Sequence, residues 1–346
     1  MADLPYKNVE QQLNSAEVAS IFANYMNMSL SERVFEQFSV HVEIPEVVDL
    51  VKNALSFVRS FLSDSVKIMS EASLSIPIGF TANDVNLKAP RLFVDEYYVH
   101  NIMNFSRLAM ADFATAIGGA ARSDLYELFS ESLTATNKLH KQSVELALNK
   151  GMYVPAPIVP YPYKRDYVED DKFISSGTFG RQKRPLLATE ISYLHMNIIH
   201  NTIGSMMNTA FSQVAKDDEV RQFLVKGIRL AEKQIEAYGK LLQEFQVPVP
   251  SFPNSLVTDS NLIPPYSDKL MLYEANGMAS VGLTALGQSL TQSMRMDIQA
   301  KYTKFAAEIA SYSKEGLELT IKKGWMEQPP ETADRQALAQ EPRKGE

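Results

Sequence analysis

A chain of 346 residues, 45% of them hydrophobic, is long enough for two or three domains, each with a sizeable core. A net charge of −7, with no long cationic run beyond Arg181-Gln182-Lys183-Arg184, argues against a nucleic-acid partner. Cysteine is absent, which removes disulfides, thiolate zinc sites and cysteine nucleophiles together.

After a polar start, Val18, Ile21, Phe22, Tyr25, Met28 and Leu30 recur at helical spacing and predict a helix over residues 14–42, opened by Asn14 and Glu17 at capping-box distance. Pro45 at an early helical position starts the second helix, which Val48, Leu50, Val51, Leu55, Val58, Phe61, Leu62, Val66 and Met69 carry to about residue 73. Residues 74–91, with Pro77, Gly79 and Pro90, lack periodicity. A helix of about 28 residues is about 42 Å long, and about 18 extended residues span up to about 60 Å. This connection is therefore long enough to run the length of a bundle. The third and fourth helices, residues 92–118 and 124–150, are joined by a short Gly-Gly-Ala-Ala-Arg-Ser turn. Short, long, short is the connectivity of a ferritin-like bundle with one crossover.

The second half repeats this order, with helices predicted over residues 186–216, 218–246, 266–293 and 297–323 and a proline-rich crossover between the middle two. KQSVELALNKGMYVPAP, from Lys141 to Pro157, returns as KEGLELTIKKGWMEQPP, from Lys314 to Pro330, 173 residues later. The same offset pairs Leu13 with Leu186, Glu17 with Glu190, Asn24 with Asn197, Phe38 with Phe211, Glu46 with Glu219, Pro77 with Pro250, Asp95 with Asp268, Arg122 with Arg295 and Asp124 with Asp297. Gly151 and Gly324 each follow lysines at a helix end, which suits a left-handed cap. Met152 and Trp325 behind them fit apolar plugs that fold back on the last turn. The expected fold is all-α: two tandem ferritin-like four-helix bundles, residues 1–152 and 186–330, with a long crossover between helices 2 and 3 of each. A Pro/Tyr-rich linker, 153–185, reads as extended chain lying along the bundles, and a polar tail, 331–346, follows the second.

A bundle with this connectivity raises the question of a di-iron site, which needs Glu-x-x-His on two of its helices. No Glu-x-x-His occurs, and none of His41, His100, His140, His195 and His200 recurs at the same place in both halves. Glu96 with His100, and Glu190 with His195 and His200, are the remaining metal candidates, against the simpler reading of rim contacts and core histidines. Glu17 and Glu190 sit in matching first turns, where negative charge suits the helix dipole. Arg122-Ser-Asp124 and Arg295-Met-Asp297 read as a latch, the aspartate capping the fourth helix and the arginine reaching the third helix or the crossover, ahead of an anion site. Lys141 with Glu145 and Lys314 with Glu318 read as solvated pairs. Met26, Met28, Met206, Met207, Met294 and Met296 suggest adaptable packing between helices or bundles. Phosphate loops, the Gly-x-Ser-x-Gly elbow and the zinc-protease motif are missing. No catalytic, cofactor-binding or metal-ligating residue and no cofactor is assigned.

With R-x-D before the last helix of each half, K-G at its end, and GWMEQPP followed by Ala333-Asp334-Arg335, the chain resembles an uncharacterised tandem-bundle family of endospore-forming bacteria, itself similar to spore coat protein F. The resemblance implies a ferritin-like fold and association with the spore, and brings no catalytic residues with it. The expected function is that of a non-catalytic structural or interaction protein, coat-like and associated with the spore. The alternatives are a ferritin-like metal-binding protein or oxidoreductase with an atypical site, or a bundle that binds a small apolar ligand. Protein partners or self-association are expected, with the two bundles packed on each other about a pseudo-twofold axis. No apolar run approaches 18 residues, and Asp3, Glu10 and Glu17 interrupt the first thirty, so membrane insertion and a signal peptide are not expected. The expected location is the cytoplasm, with assembly onto the spore coat.

Overall fold

The computed structural model describes residues 12–160, 167–170, 172–175, 183–252, 255–258, 262–332 and 334–335. Apolar periodicity becomes helix in both halves. The first bundle holds α1 (Ser15–Ser39), α2 (Pro45–Glu71), α3 (Asp95–Gly119) and α4 (Ser123–Asn149). A helical turn in the linker, α5 (Lys172–Ser175), departs from the extended chain expected there, and residues 161–166, 171 and 176–182 of that linker lie outside the described residues. The second bundle holds α6 (Ala188–Val214), α7 (Asp218–Gln243), α8 (Asp268–Gln292) and α9 (Met296–Lys322). Among the described residues there is no strand.

Chain direction follows from the ends that meet. Asn14, before α1, donates to the Gly119 carbonyl at the end of α3 at 3.3 Å, and Lys150, after α4, reaches Glu46 at the start of α2 at 2.8 Å. Glu43, before α2, donates to Asp95 at the start of α3 at 2.9 Å, so α2 and α3 run parallel and need the long connection between them. The cap of α1 and the two glycine caps form as their spacing predicts. Asn14 and Glu17 make a complete capping box. Gly151 and Gly324 take φ of 69° and 71°, and the Met152 and Trp325 amides return to Ala147 and Thr320 at 2.8 and 3.0 Å.

The two crossovers join the bundles. Val85 pairs antiparallel with Tyr266, and Phe93 with Val257. Around the first bridge Asn86 donates to Pro265 at 2.7 Å and Ser267 to Asp84 at 3.0 Å. Around the second, Thr258 donates to Leu92 at 2.8 Å and Val94 to Leu256 at 3.1 Å. Val257 stands in its crossover as Val85 does in the other, and Tyr266 as Phe93 does, so each bridge is the image of its partner about a pseudo-twofold axis. The second crossover is one residue longer between its bridges. This pairing occupies Leu92, Val94 and Tyr266, which is why α3 and α8 begin later than periodicity alone suggests.

Aromatic contacts obey the same symmetry. Phe80 meets Tyr273 edge-on at 5.1 Å, and Phe252 meets His100, which is equivalent to Tyr273, edge-on at 4.7 Å. The strips behind the last helices cross over as well. Glu327, after α9, accepts from the Ile78 and Gly79 amides of the first crossover at 2.8 and 2.6 Å, while Val159, after α4, packs on the second bundle. One apolar core fills the first bundle and runs through the seam into the near half of the second, where Met207, Phe211, Phe223 and Tyr312 belong to it.

Phe93 stacks on Tyr97 at 3.7 Å and meets Phe211 edge-on at 6.3 Å, with 2% of its surface exposed. Phe93→Ala is expected to cost about 3–5 kcal/mol. In urea the native chain should unfold in one transition, coincident by far-UV circular dichroism and Trp325 fluorescence, and the variant should separate the two signals.

Candidate functional site

Backbone N–H groups at a helix start have no partner within the helix, and this chain satisfies many of them with carboxylates from distant turns. Glu17, 1% exposed, accepts from its own cap at Asn14 (2.7 Å) and from Ala121 and Arg122 in the α3–α4 turn, both at 2.8 Å. Glu190, wholly buried, repeats this with Leu187 (2.9 Å), Met294 (3.2 Å) and Arg295 (3.1 Å), and adds both terminal nitrogens of Arg184 at 2.9 and 2.8 Å. The dipole reading of these two residues is therefore incomplete, because each carboxylate fastens a turn about a hundred residues away. Asp95 accepts from Glu43 and Ile44 (2.9 and 2.7 Å), and Asp268 from Lys216 and Asp217 (3.0 and 3.2 Å), so the other turn of each bundle is fastened in the same way.

Arg122 and Arg295 pair with the aspartates two residues on, through two nitrogens each. Asp124 and Asp297 lie inside the helix start, so they orient arginine and do not occupy the cap position expected of them. Arg295 also reaches the Arg184 carbonyl at 3.2 Å. Met294 and Met296 are half exposed, against the expectation of packing, whereas Met26, Met28 and Met207 are buried.

The histidines separate. Glu96 lies 4.0 Å from His100, but burial pushes His100 down to about 4 and leaves the ring neutral. Glu190 is engaged in its turn, His195 faces the backbone of Val154, and His200 points into the middle of the second bundle, so the three come to different places. Among the described residues no group of three or more histidines and carboxylates gathers as a metal site would require.

The two interiors differ most at mid-height. In the first bundle Phe35, Phe57, Phe61, Phe105 and Phe113 form a continuous aromatic cluster, with centroids 5.1–6.4 Å apart. At offset 173 the second bundle has Asn208, Leu230, Gln234, Met278 and Leu286 instead, and Ser31, Ala54 and Ala109 become Gly204, Gly227 and Gly282. A cavity of about 50 Å³ remains there, bordered by His200, Asn208, Gln234, Gly282 and Tyr312. This polar layer divides the second bundle's apolar core, leaving Tyr238, Tyr302 and Phe305 in a separate cluster beyond it. His200 Nε2 donates to the Met278 carbonyl at 3.2 Å, and Gln234 accepts from Tyr238 at 3.3 Å. His200 Nδ1 and Asn208 Oδ1 are buried without a protein partner. The signal for this layer was in the sequence, as the loss of aromatic residues between matching helices, but a search for identities between the halves passes over it.

Glu274 on α8 stands where the first half has Asn101. Its Oε2 is buried and unpaired, burial and, after it, the nearby Glu274 charge raise the Tyr97 and Tyr266 phenols, and burial pushes its own carboxyl up to about 8.

Two pH effects of opposite sign follow. Burial raises the Glu190 carboxyl, but the Arg184 guanidinium and the backbone N–H groups outweigh it and hold the group below its ordinary 4.5. Its stabilisation is present above about pH 4.5 and is lost as pH falls through the depressed native value. Glu190→Gln should cost about 3 kcal/mol at pH 7 and flatten the acid limb of a pH–melting curve. Glu274 is raised, so its contribution is intact below about pH 4.5 and is lost as pH rises towards about 8. Glu274→Gln should raise the melting temperature at pH 8 and leave it unchanged at pH 4, as read by calorimetry.

A model of the family described as "protein of unknown function (DUF3231)" matches the chain twice, over residues 5–164 and 175–338. Among solved structures, the chain is similar to a protein of Bacillus halodurans C-125 that carries the name "putative spore coat protein". The two are 20% identical with a TM-score of 0.41, and the match covers 44% of this chain and 98% of the other. None of the curated proteins matches.

Proposed function

The chain belongs to the DUF3231 family, whose model it matches in two copies, and from that premise we propose that it is a non-catalytic structural or interaction protein, ferritin-like in fold and associated with the spore. The observation that carries this reading is the use made of the buried carboxylates. Glu17, Glu190, Asp95 and Asp268 all accept hydrogen bonds from turn amides, so the buried acidic groups at the helix starts serve to hold the bundles rigid. Paired crossovers and exchanged strips then make the two bundles into one stiff body. Ile76, Ile78 and Met326 are exposed beside the first crossover and offer apolar surface to a protein partner or to a second copy. Association with the spore rests on the resemblance of the Gly324–Pro330 run and the R-x-D repeat to a family of endospore-forming bacteria that is itself similar to spore coat protein F. No helix among the described residues is long and apolar enough to cross a membrane.

Fractionation of a sporulating culture, with this chain quantified in vegetative cytosol, mother cell, spore core and coat extract, tests the reading. Enrichment in the coat extract is expected. Confinement to vegetative cytosol would remove the spore role and leave the fold untouched.

A further inference from the structure

The seam between the bundles holds an acidic group that nothing around it neutralises. Glu274 lies one turn before Met278 on α8, and Asn101 one turn before Asn104 on α3. Asn104 approaches the Met278 sulfur at 4.0 Å, so the two helices face each other across the seam at this level. Glu274 and Asn101 are pseudo-twofold images of each other, but Asn101 is an uncharged amide that meets the Tyr97 phenol. Glu274 is half-buried as a residue, while its Oε2 is buried and has no partner.

The groups around this carboxyl belong to both bridges. Tyr266, 4% exposed, is itself paired with Val85. Tyr97, 1% exposed, stacks on Phe93, which is paired with Val257. The titratable groups that face Glu274 are the phenols of Tyr97 from α3 and Tyr266 from the second crossover, with Tyr98 of α3 beside Tyr266. Burial holds all three phenols above their ordinary 10, so they are neutral. No charged group of α6, α7, α9 or its own helix acts on the carboxyl, which burial alone raises. Protonated, it is a neutral group in a neutral cluster. Ionised, it is a charge without a counter-ion between the residues that hold the two bridges, and such a charge is strongly destabilising. Opening the seam hydrates it, so ionisation and opening favour each other.

We propose that the seam is a pH-gated hinge, closed while Glu274 keeps its proton and loosened as the carboxylate forms between Tyr97 and Tyr266. The carboxyl titrates near its ordinary 4.5 where water reaches it and at about 8 in the closed seam. Closure is therefore strongest below about pH 4.5, weakens as pH rises, and levels off above about pH 8. The hinge does not depend on association with the spore.

Amide hydrogen exchange of the full chain, resolved by residue between about pH 5.5 and 7.5, reads the opening. Base catalysis alone accelerates exchange about tenfold per pH unit, and a linked opening adds up to about tenfold more. The bridge amides of Asn86, Val94, Thr258 and Ser267 should exchange ahead of amides inside α2 and α9. They should accelerate nearly a hundredfold per pH unit, and Glu274→Gln should return them to about tenfold. Glu274→Asn, which restores the residue type of Asn101, gives the same readout should the glutamine variant not fold. Tenfold acceleration in the native chain, hundredfold acceleration in the variants, or bridge amides no faster than those inside the helices would each overturn the proposal.

Discussion

The structure depends on one kind of interaction: a buried carboxylate that accepts hydrogen bonds from the backbone of a turn belonging to another helix pair. Glu17 and Glu190 hold the turn before the last helix of each bundle, and Asp95 and Asp268 hold the turn before the second. Each answers two needs at once. It satisfies amides that have no partner at a helix end, and it places negative charge at the positive end of the helix dipole. Lys150 and Lys323, just after the last helices, close the remaining corner on Glu46 and Glu219. With the corners fastened by charge-assisted bonds, the helices between them need only apolar faces of the right width, and the interior becomes free to vary.

That division explains what the sequence disclosed. Helices, caps and the duplication were legible because each is written in residues a few positions apart, such as Asn14 with Glu17 or Lys323 with Gly324. Several identities at offset 173 marked fastening residues, but their partners lie about fifty to a hundred positions away, so Glu17 and Glu190 read as local dipole effects. The seam was legible only as an expectation that the bundles meet. Its register depends on Val85 finding Tyr266 and Phe93 finding Val257, and neither segment has the alternation that would announce a strand. The polar layer was hidden for another reason. Asn208, Gln234 and Gly282 are unremarkable one at a time, and acquire meaning only against Phe35, Phe61 and Ala109.

The two interiors therefore solve one packing problem differently. The first uses interlocked aromatic rings, which bury large areas and prefer tilted or edge-on contacts. The second splits its apolar residues into a seam half and a distal half, with amides, an imidazole and a hollow between them. A polar layer inside a bundle weakens it unless every group is partnered. The glycines are part of the same arrangement: at Gly227 a side chain would collide with the Tyr312 phenol and the Asn208 amide, and at Gly316 with Asn276.

The bridges between the crossovers carry a consequence for how such a molecule arises. Exchange the halves of the chain and each bridge becomes the other, as at the axis of a dimer of identical subunits. In such a dimer any change to one interior is made to both, so a hollow that weakens one bundle weakens its twin. Joining the copies in one polypeptide lifts that restriction. The seam keeps the twofold geometry that holds the pair together, while one half stays a solid brace and the other is free to loosen its middle.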